Sequence, residues 1–287
     1  MTTCIKLEHH LSNGYSSEQM IDSNRLAAEF RAKAVQMSHA AGAAHLASSL
    51  SCIDIVAVLY HSVLNLDPRK PKWEDRDRFI LSKGHAATAL YAALSYRGFL
   101  TDDDLKSFGK AGSLLEEHPS PQLPGVEAAT GSLGHGLPCG CGISLAGRIK
   151  GQQYRTFVLM SDGECNEGSV WEASLFAAAN KLGSLCAFVD FNKWQATGRS
   201  QEVLALNPLA DKFKSFGWNV HEIDGHDHQQ ILEAVKGISI DNSKPTMVVA
   251  HTVKGKGVSF MEDDNNWHYR IPTVEEVQLA KTELGVL

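Results

Sequence analysis

Asp162, Gly163, Glu164 and Asn192 are the most chemically suggestive set in the chain. Asp162-Gly163 follows an apolar run, Thr156 to Met160, and leads into a helical pattern. Asn192 follows a second apolar run, Leu185 to Val189, thirty positions after Asp162. That interval is one strand-to-strand unit. In a parallel sheet both strand ends open on one edge, where ligands bind. A carboxylate, an amide oxygen and a nearby backbone carbonyl are the hard donors Mg2+ takes, with phosphate oxygens beside them. Gly163 lets a phosphate approach the backbone closely, and the helix start behind it offers free amides. Taken alone, the pair is also what a capped turn would give.

Four histidines stand in separate segments: His45, His85, His118 and His268. A single histidine is most often a surface or satisfied core residue. Four brought together would supply groups with a pKa near neutrality that donate and accept protons. Sugar hydroxyls need such partners. Lys83, just before His85, is either a solvated surface lysine or a positive charge for phosphates. Glu167 reads as a helix-start acid favoured by the dipole. Of six cysteines only Cys139 and Cys141 are close, and their spacing suits neither zinc nor redox work. They read as reduced thiols of a cytoplasmic protein.

The elements that must hold these residues alternate. Helical patterns cover about 17–40 and 52–63, separated by small and polar residues over 41–51 that read as a loop. A short buried strand, Arg78 to Ser82, turns at Lys83-Gly84-His85 into an Ala-rich helix ending near 97. Residues 112–133 form a long Pro- and Gly-rich loop, which in a compact domain is functional or disordered. Helix 134–149, strand 156–160, helix 167–181 and strand 185–190 follow. The tail repeats the pattern, with strands near 219–223 and 246–251 and a last helix over 273–284. Apolar, non-alternating strands between helices predict an α/β fold, a mostly parallel sheet with helices on both faces. Residues 1–16 read as a flexible lead-in and 17–287 as one domain. Net charge is -6, which argues against a nucleic-acid surface. No apolar run is expected to span a membrane and no signal peptide is visible.

The whole set resembles the N-terminal half of transketolase. Asp162-Gly163 and Asn192 match the family's thiamine-diphosphate motif, Gly-Asp-Gly followed by Asn, and the match runs on through Glu167-Gly168-Ser169-Val170-Trp171-Glu172-Ala173. Further segments agree in order: Ser82-Lys83-Gly84-His85, Leu123-Pro124-Gly125-Val126-Glu127, Gly131-Ser132-Leu133-Gly134-His135-Gly136, Lys254-Gly255-Lys256-Gly257 and Trp267-His268. The resemblance covers roughly residues 25–270 and implies the thiamine-diphosphate-binding fold. It implies Asp162, Asn192 and the Trp194 carbonyl as Mg2+ ligands. It implies cofactor contacts from Lys83, His85, Gly131, Ser132, Leu133, Gly163, Glu164, Asn192 and His268, with Gly131 giving room for the cofactor ring. His45, His118 and His268 would line the substrate channel, and Glu167 would join a carboxylate relay between two active sites. Two departures stand out. Ser161 replaces the first glycine of the motif, and His251 lies where some transketolases carry lysine.

Full transketolases continue for two further domains, which hold the aminopyrimidine end and most of the sugar-phosphate clamp. The resemblance therefore implies a C-terminal-half partner subunit in an α2β2 assembly. The reaction would be transfer of a two-carbon ketol unit from a ketose, such as a sugar phosphate, to an aldose. The competing readings are the α subunit of a 2-oxo-acid dehydrogenase and a non-catalytic regulatory subunit that keeps the fold.

Overall fold

The structure is a computed structural model and describes residues 17–286. The expected lead-in, residues 1–16, lies outside the described residues. Strands β1 (Arg78–Leu81), β2 (Thr156–Ser161), β3 (Leu185–Phe191), β4 (Asn219–Asp224) and β5 (Thr246–His251) pair in parallel in the order β1-β2-β3-β5-β4. The helices are α1 (Ser17–Ala41), α2 (Leu46–Val58), α3 (Ala87–Tyr96), α4 (Asp102–Leu105), α5 (Gly136–Lys150), α6 (Gly168–Ala179), α7 (Ser200–Val203), α8 (Leu209–Ser215), α9 (His228–Val235) and α10 (Val274–Glu283).

β2 and β3 are buried along their whole length, as strands covered on both faces must be. Successive side chains alternate between faces. Phe157, Leu159, Cys186, Phe188 and Val248 enter one core with α1, α2, α3, α9 and α10. Val158, Met160, Ala187, Val189, Met247 and Val249 enter the other with α5, α6 and α8. β4, on the sheet edge, keeps much of its length exposed. The five described cysteines are free.

One element differs from the sequence reading. Residues 46–51, read as loop, are the first turns of α2. Every residue of α2 is buried, and its hydroxyls find partners inside. Ser51 Oγ lies 2.6 Å from Asp190 Oδ2, and Thr88 donates to Ser49 Oγ at 2.8 Å. Polar residues satisfied within the core read as loop in a sequence. The same helix corrects the membrane expectation. Leu46–Val63, with mean hydropathy 1.5, is long and apolar enough to cross a membrane, and 83% of it is buried inside the protein. A helix apolar on most of its faces, with its few polar groups paired, is what the centre of a core requires.

Candidate active site

The C-terminal ends of β1, β2, β3 and β5 open on one edge. They deliver Ser82-Lys83, Asp162-Gly163, Asp190 with Asn192, and Thr252 to Lys254. Asp162 is fully buried. Its Oδ1 accepts from the Gly163 amide at 2.8 Å, and its Oδ2 accepts from the Lys193 amide at 2.9 Å and Ser200 Oγ at 2.6 Å. Burial, with Asp190 nearby, pushes its pKa up to about 6. Asn192 Oδ1 accepts from the Trp194 amide at 3.0 Å. Its amide nitrogen lies 3.4 Å from both Asp190 Oδ2 and Ser51 Oγ.

These residues suit a magnesium diphosphate. Asp162 Oδ1 and Asn192 Oδ1 each keep a lone pair, and the Trp194 carbonyl accepts no hydrogen bond among the described residues. Three hard oxygens leave half an octahedron for ligand and water oxygens. Among the described residues no three His, Cys, Asp or Glu side chains form a metal cluster, so an all-carboxylate cage is absent. Gln195 packs against Gly163, and its Nε2 is buried without a partner. That unpaired donor beside the glycine turn fits an anionic ligand.

Three sequence expectations acquire different surroundings. Lys83 is wholly buried rather than solvated. Its ammonium bonds Asp190 Oδ2 at 2.5 Å and the Ser48 carbonyl at 2.8 Å. Burial works against its charge, but Asp190 holds its pKa above the usual lysine value. Asp190 is further held by Ser51 and Thr252. Glu164, which the resemblance puts at the cofactor, staples three chain segments. It accepts from Ser82 Oγ, from the Gly134 amide at 2.9 Å and from the Ser161 amide at 3.4 Å. Ser161, the departure from glycine, joins this staple, since its hydroxyl accepts from the Glu164 amide at 3.2 Å. Gly131 has φ +128°, and a Cβ there would stand 2.2 Å from His118 Cδ2. The missing side chain makes room for the His118 ring. Ser132 is exposed, Leu133 half-buried, and both carbonyls face His135 Nδ1.

The histidines come together. Ring centroids are 5.4 Å apart for His45 and His85, 5.1 Å for His45 and His268, and 6.2 Å for His85 and His268. His118 is close enough to bias the charge of His45 and His85. His45 sits in the left-handed region, φ 67° and ψ 14°. A residue with a Cβ is strained there, at about 1–3 kcal/mol, and its amide is pinned to the His268 carbonyl at 2.8 Å. Tyr269 packs against both His45 and His268.

Burial lowers the pKa of His45 and takes that of His85 well below the usual value. For His268, burial and Lys254 bring it down to about 3. Lys254 Nζ stands 3.0 Å from His268 Nδ1 and 2.7 Å from Asn265 Oδ1. Burial and Lys83 bring Lys254 down to about 8, so it is mostly an ammonium donor at neutral pH. An ammonium only donates, so His268 Nδ1 accepts and its Nε2 carries the proton. Glu167, by contrast, stands exposed at the start of α6, and its carboxylate has no hydrogen-bond partner among the described residues.

Sequence reasoning missed Lys254, Asp190 and Ser200 as site residues. Asp190 had a signal, an acid inside an apolar strand. Lys254 had a weaker one, a lysine among glycines just past a strand end. Ser200, bonded to Asp162 from a separate loop, had none.

Residues 22–287 match the family described as transketolase, thiamine diphosphate binding domain. The chain is 39% identical over 255 residues to one subunit of the apulose-4-phosphate transketolase of Phocaeicola vulgatus, covering 89% of this chain and 91% of that one. It is 38% identical over 269 residues to the 6-deoxy-6-sulfo-D-fructose transketolase subunit SqwG of a Clostridium species, covering 93% and 98%. The solved transketolase of Campylobacter jejuni aligns over 95% of this chain with a TM-score of 0.88 at 27% identity, and 43% of that chain is covered. The chain thus spans about two fifths of that solved transketolase but nearly all of the two named subunits. It belongs to the transketolase family, and residues 22–287 carry the family's thiamine-diphosphate-binding domain.

Proposed function

We propose that this chain is the cofactor-holding half of a two-subunit transketolase, working with a partner that resembles the C-terminal remainder of the one-chain enzymes. One observation carries the reading. Asp162, Asn192, Lys254 and three clustered histidines share one sheet edge, in a chain matching subunit-sized relatives almost end to end. Asp162, Asn192 and the Trp194 carbonyl hold Mg2+. Gly163, Gln195, His85 and His268 hold the diphosphate. When bound, thiamine diphosphate supplies the electron sink that carries a two-carbon unit between sugars.

The chain's own work is to bind, orient and move protons. His268 presents Nε2–H as a donor, fixed by Lys254 behind it. With their pKa values lowered, His45 and His85 are neutral at working pH and accept or donate a single proton. His45, His118 and His268 face the sugar carbonyl and hydroxyls. Exposed Glu167 heads α6, whose Leu175 and Phe176 are also exposed, and this face meets a second cofactor-holding copy in an α2β2 assembly. The named relatives act on a sugar phosphate and a sulfo-sugar. A ketose with an anionic far end, read mainly by the partner, is the corresponding substrate class. The free cysteines favour a cytoplasmic setting. Comparison with transketolases leaves the 2-oxo-acid dehydrogenase reading without support.

A tagged pull-down from native cells with thiamine diphosphate and Mg2+, read by mass spectrometry, tests the proposal. It should recover a protein resembling the rest of transketolase. Recovery of this chain alone at normal expression would overturn the two-subunit reading.

A further inference from the structure

Lys254 owes its reach toward His268 to a loop gripped on both sides. The Val253 amide donates to His226 Nε2 at 2.9 Å, and the Lys256 carbonyl accepts from Arg31 Nε at 2.8 Å. Both gripping side chains are fixed on one carboxylate, Asp54 of α2. Its Oδ2 lies 2.6 Å from His226 Nδ1 and 2.5 Å from Arg31 Nη2. Its Oδ1 accepts from Arg31 Nη1 at 3.1 Å and lies 3.2 Å from His228 Nε2. Asp54 and Arg31 are buried. A backbone amide only donates, so His226 Nε2 must be its acceptor, and the ring proton sits on Nδ1, toward Asp54.

The grip converges on a single helix. α2 is preceded by its cap residue His45 and carries Ser48 and Ser51, which hold Lys83 and Asp190. One helix therefore fixes the histidine at its start, the buried ion pair along its length and, through Asp54, the loop that bears Lys254. A buried ionic network is a weak source of net stability but a strong source of fixed geometry. The ligand-facing residues gain orientation from it in the manner of outer-shell groups around a metal ligand.

We propose that His226 and Asp54 are positioning residues that set Lys254 against His268 and thereby tune affinity for the cofactor diphosphate. The positional half stands on the geometry alone, and the cofactor half rests on the function proposed above. Two variants separate the arms. His226→Asn keeps a donor toward Asp54 but is too short to accept from Val253. His226→Gln places an acceptor back at Val253.

The readout is the 15N imidazole signals of His268 in the cofactor-free chain, beside thiamine-diphosphate affinity by calorimetry with Mg2+ and the partner present. In His226→Asn the His268 Nδ1 signal should lose its hydrogen-bonded character and cofactor affinity should fall about 10–100-fold. In His226→Gln both should return to within about threefold of the parent. Arg31→Lys, loosening the other arm with His226 intact, should move His268 in the same direction. Unchanged His268 signals in a folded His226→Asn or Arg31→Lys protein overturn the proposal. Altered His268 signals with unchanged affinity uphold the positioning and place the failure in the assignment of Lys254 and His268 to the cofactor.

Discussion

Asp162 sits at the centre of the site with its carboxyl raised to about 6 by burial and by Asp190. A proton therefore competes with a metal at higher pH than for an ordinary carboxylate. Mg2+ affinity of the chain should be steady above pH 7 and fall steeply below pH 6, in titrations followed by calorimetry. Affinity unchanged down to pH 5 would remove Asp162 from the ligand set. His268 is displaced the other way, to about 3 from 6.5. Between these values acidification protonates the unfolded chain before the folded one, so this group's contribution to stability is lost as pH falls below about 6.5. Asp162 and Glu164, shifted upward, act in the opposite sense. The difference between parent and His268→Gln isolates the imidazole. From pH 7.5 to 5 the unfolding free energy of the parent in urea titrations should drop more than that of the variant, by less than about 1.4 kcal/mol per pH unit. Glu164 is the third residue with a sharp expectation. Glu164→Ala leaves Ser82, Gly134 and Ser161 without their acceptor and should cost about 2–4 kcal/mol in denaturant melts. Glu164→Gln keeps an acceptor oxygen and should cost less than half as much. Equal and small losses would mean the staple is dispensable.

At the scale of elements, the loops matter more than the strands that launch them. The His118 loop folds back so that its ring fills the space before Gly131, at φ +128°. Gly131→Ala should strain the backbone and expel His118, at about 1–3 kcal/mol, with kcat reduced more than cofactor affinity. Assays with the partner present would separate the two, and a parent-like kcat would exclude His118 from the chemistry. The strands were legible because short apolar runs such as 185–189, alternating with helical patterns, read as buried strands, and Asp162 and Asn192 were legible because they close such runs. The start of α2 was not legible. Ala47, Ser48, Ser49 and Ser51 have loop-like composition, and only their partners, Asp190, Lys83 and Thr88, make a buried helix of them. Those partners lie 35 to 139 residues away. Separations of 38 and 172 residues likewise hid Ser200 from Asp162 and Asp54 from His226. Periodicity reports neighbours along the chain, whereas these pairings exist only once the sheet has assembled.

Across the whole molecule, the sheet edge gathers Asp162, Asn192, Lys254 and the histidines, and family membership makes the chain a thiamine-diphosphate-binding domain. On the function proposed above, this edge becomes catalytic only when a second polypeptide completes it. The most direct measurement is two-carbon transfer from a ketose phosphate or sulfo-ketose to an aldose, with thiamine diphosphate and Mg2+. It is run with the chain alone, with the chain and its partner, and with Asp162→Ala and the partner. Turnover is expected only in the second mixture, with the Asp162→Ala mixture reduced more than about 100-fold, beyond the range of outer-shell losses. Turnover by the chain alone would rule out the need for a partner, and unreduced turnover with Asp162→Ala would rule out this edge as the site of chemistry.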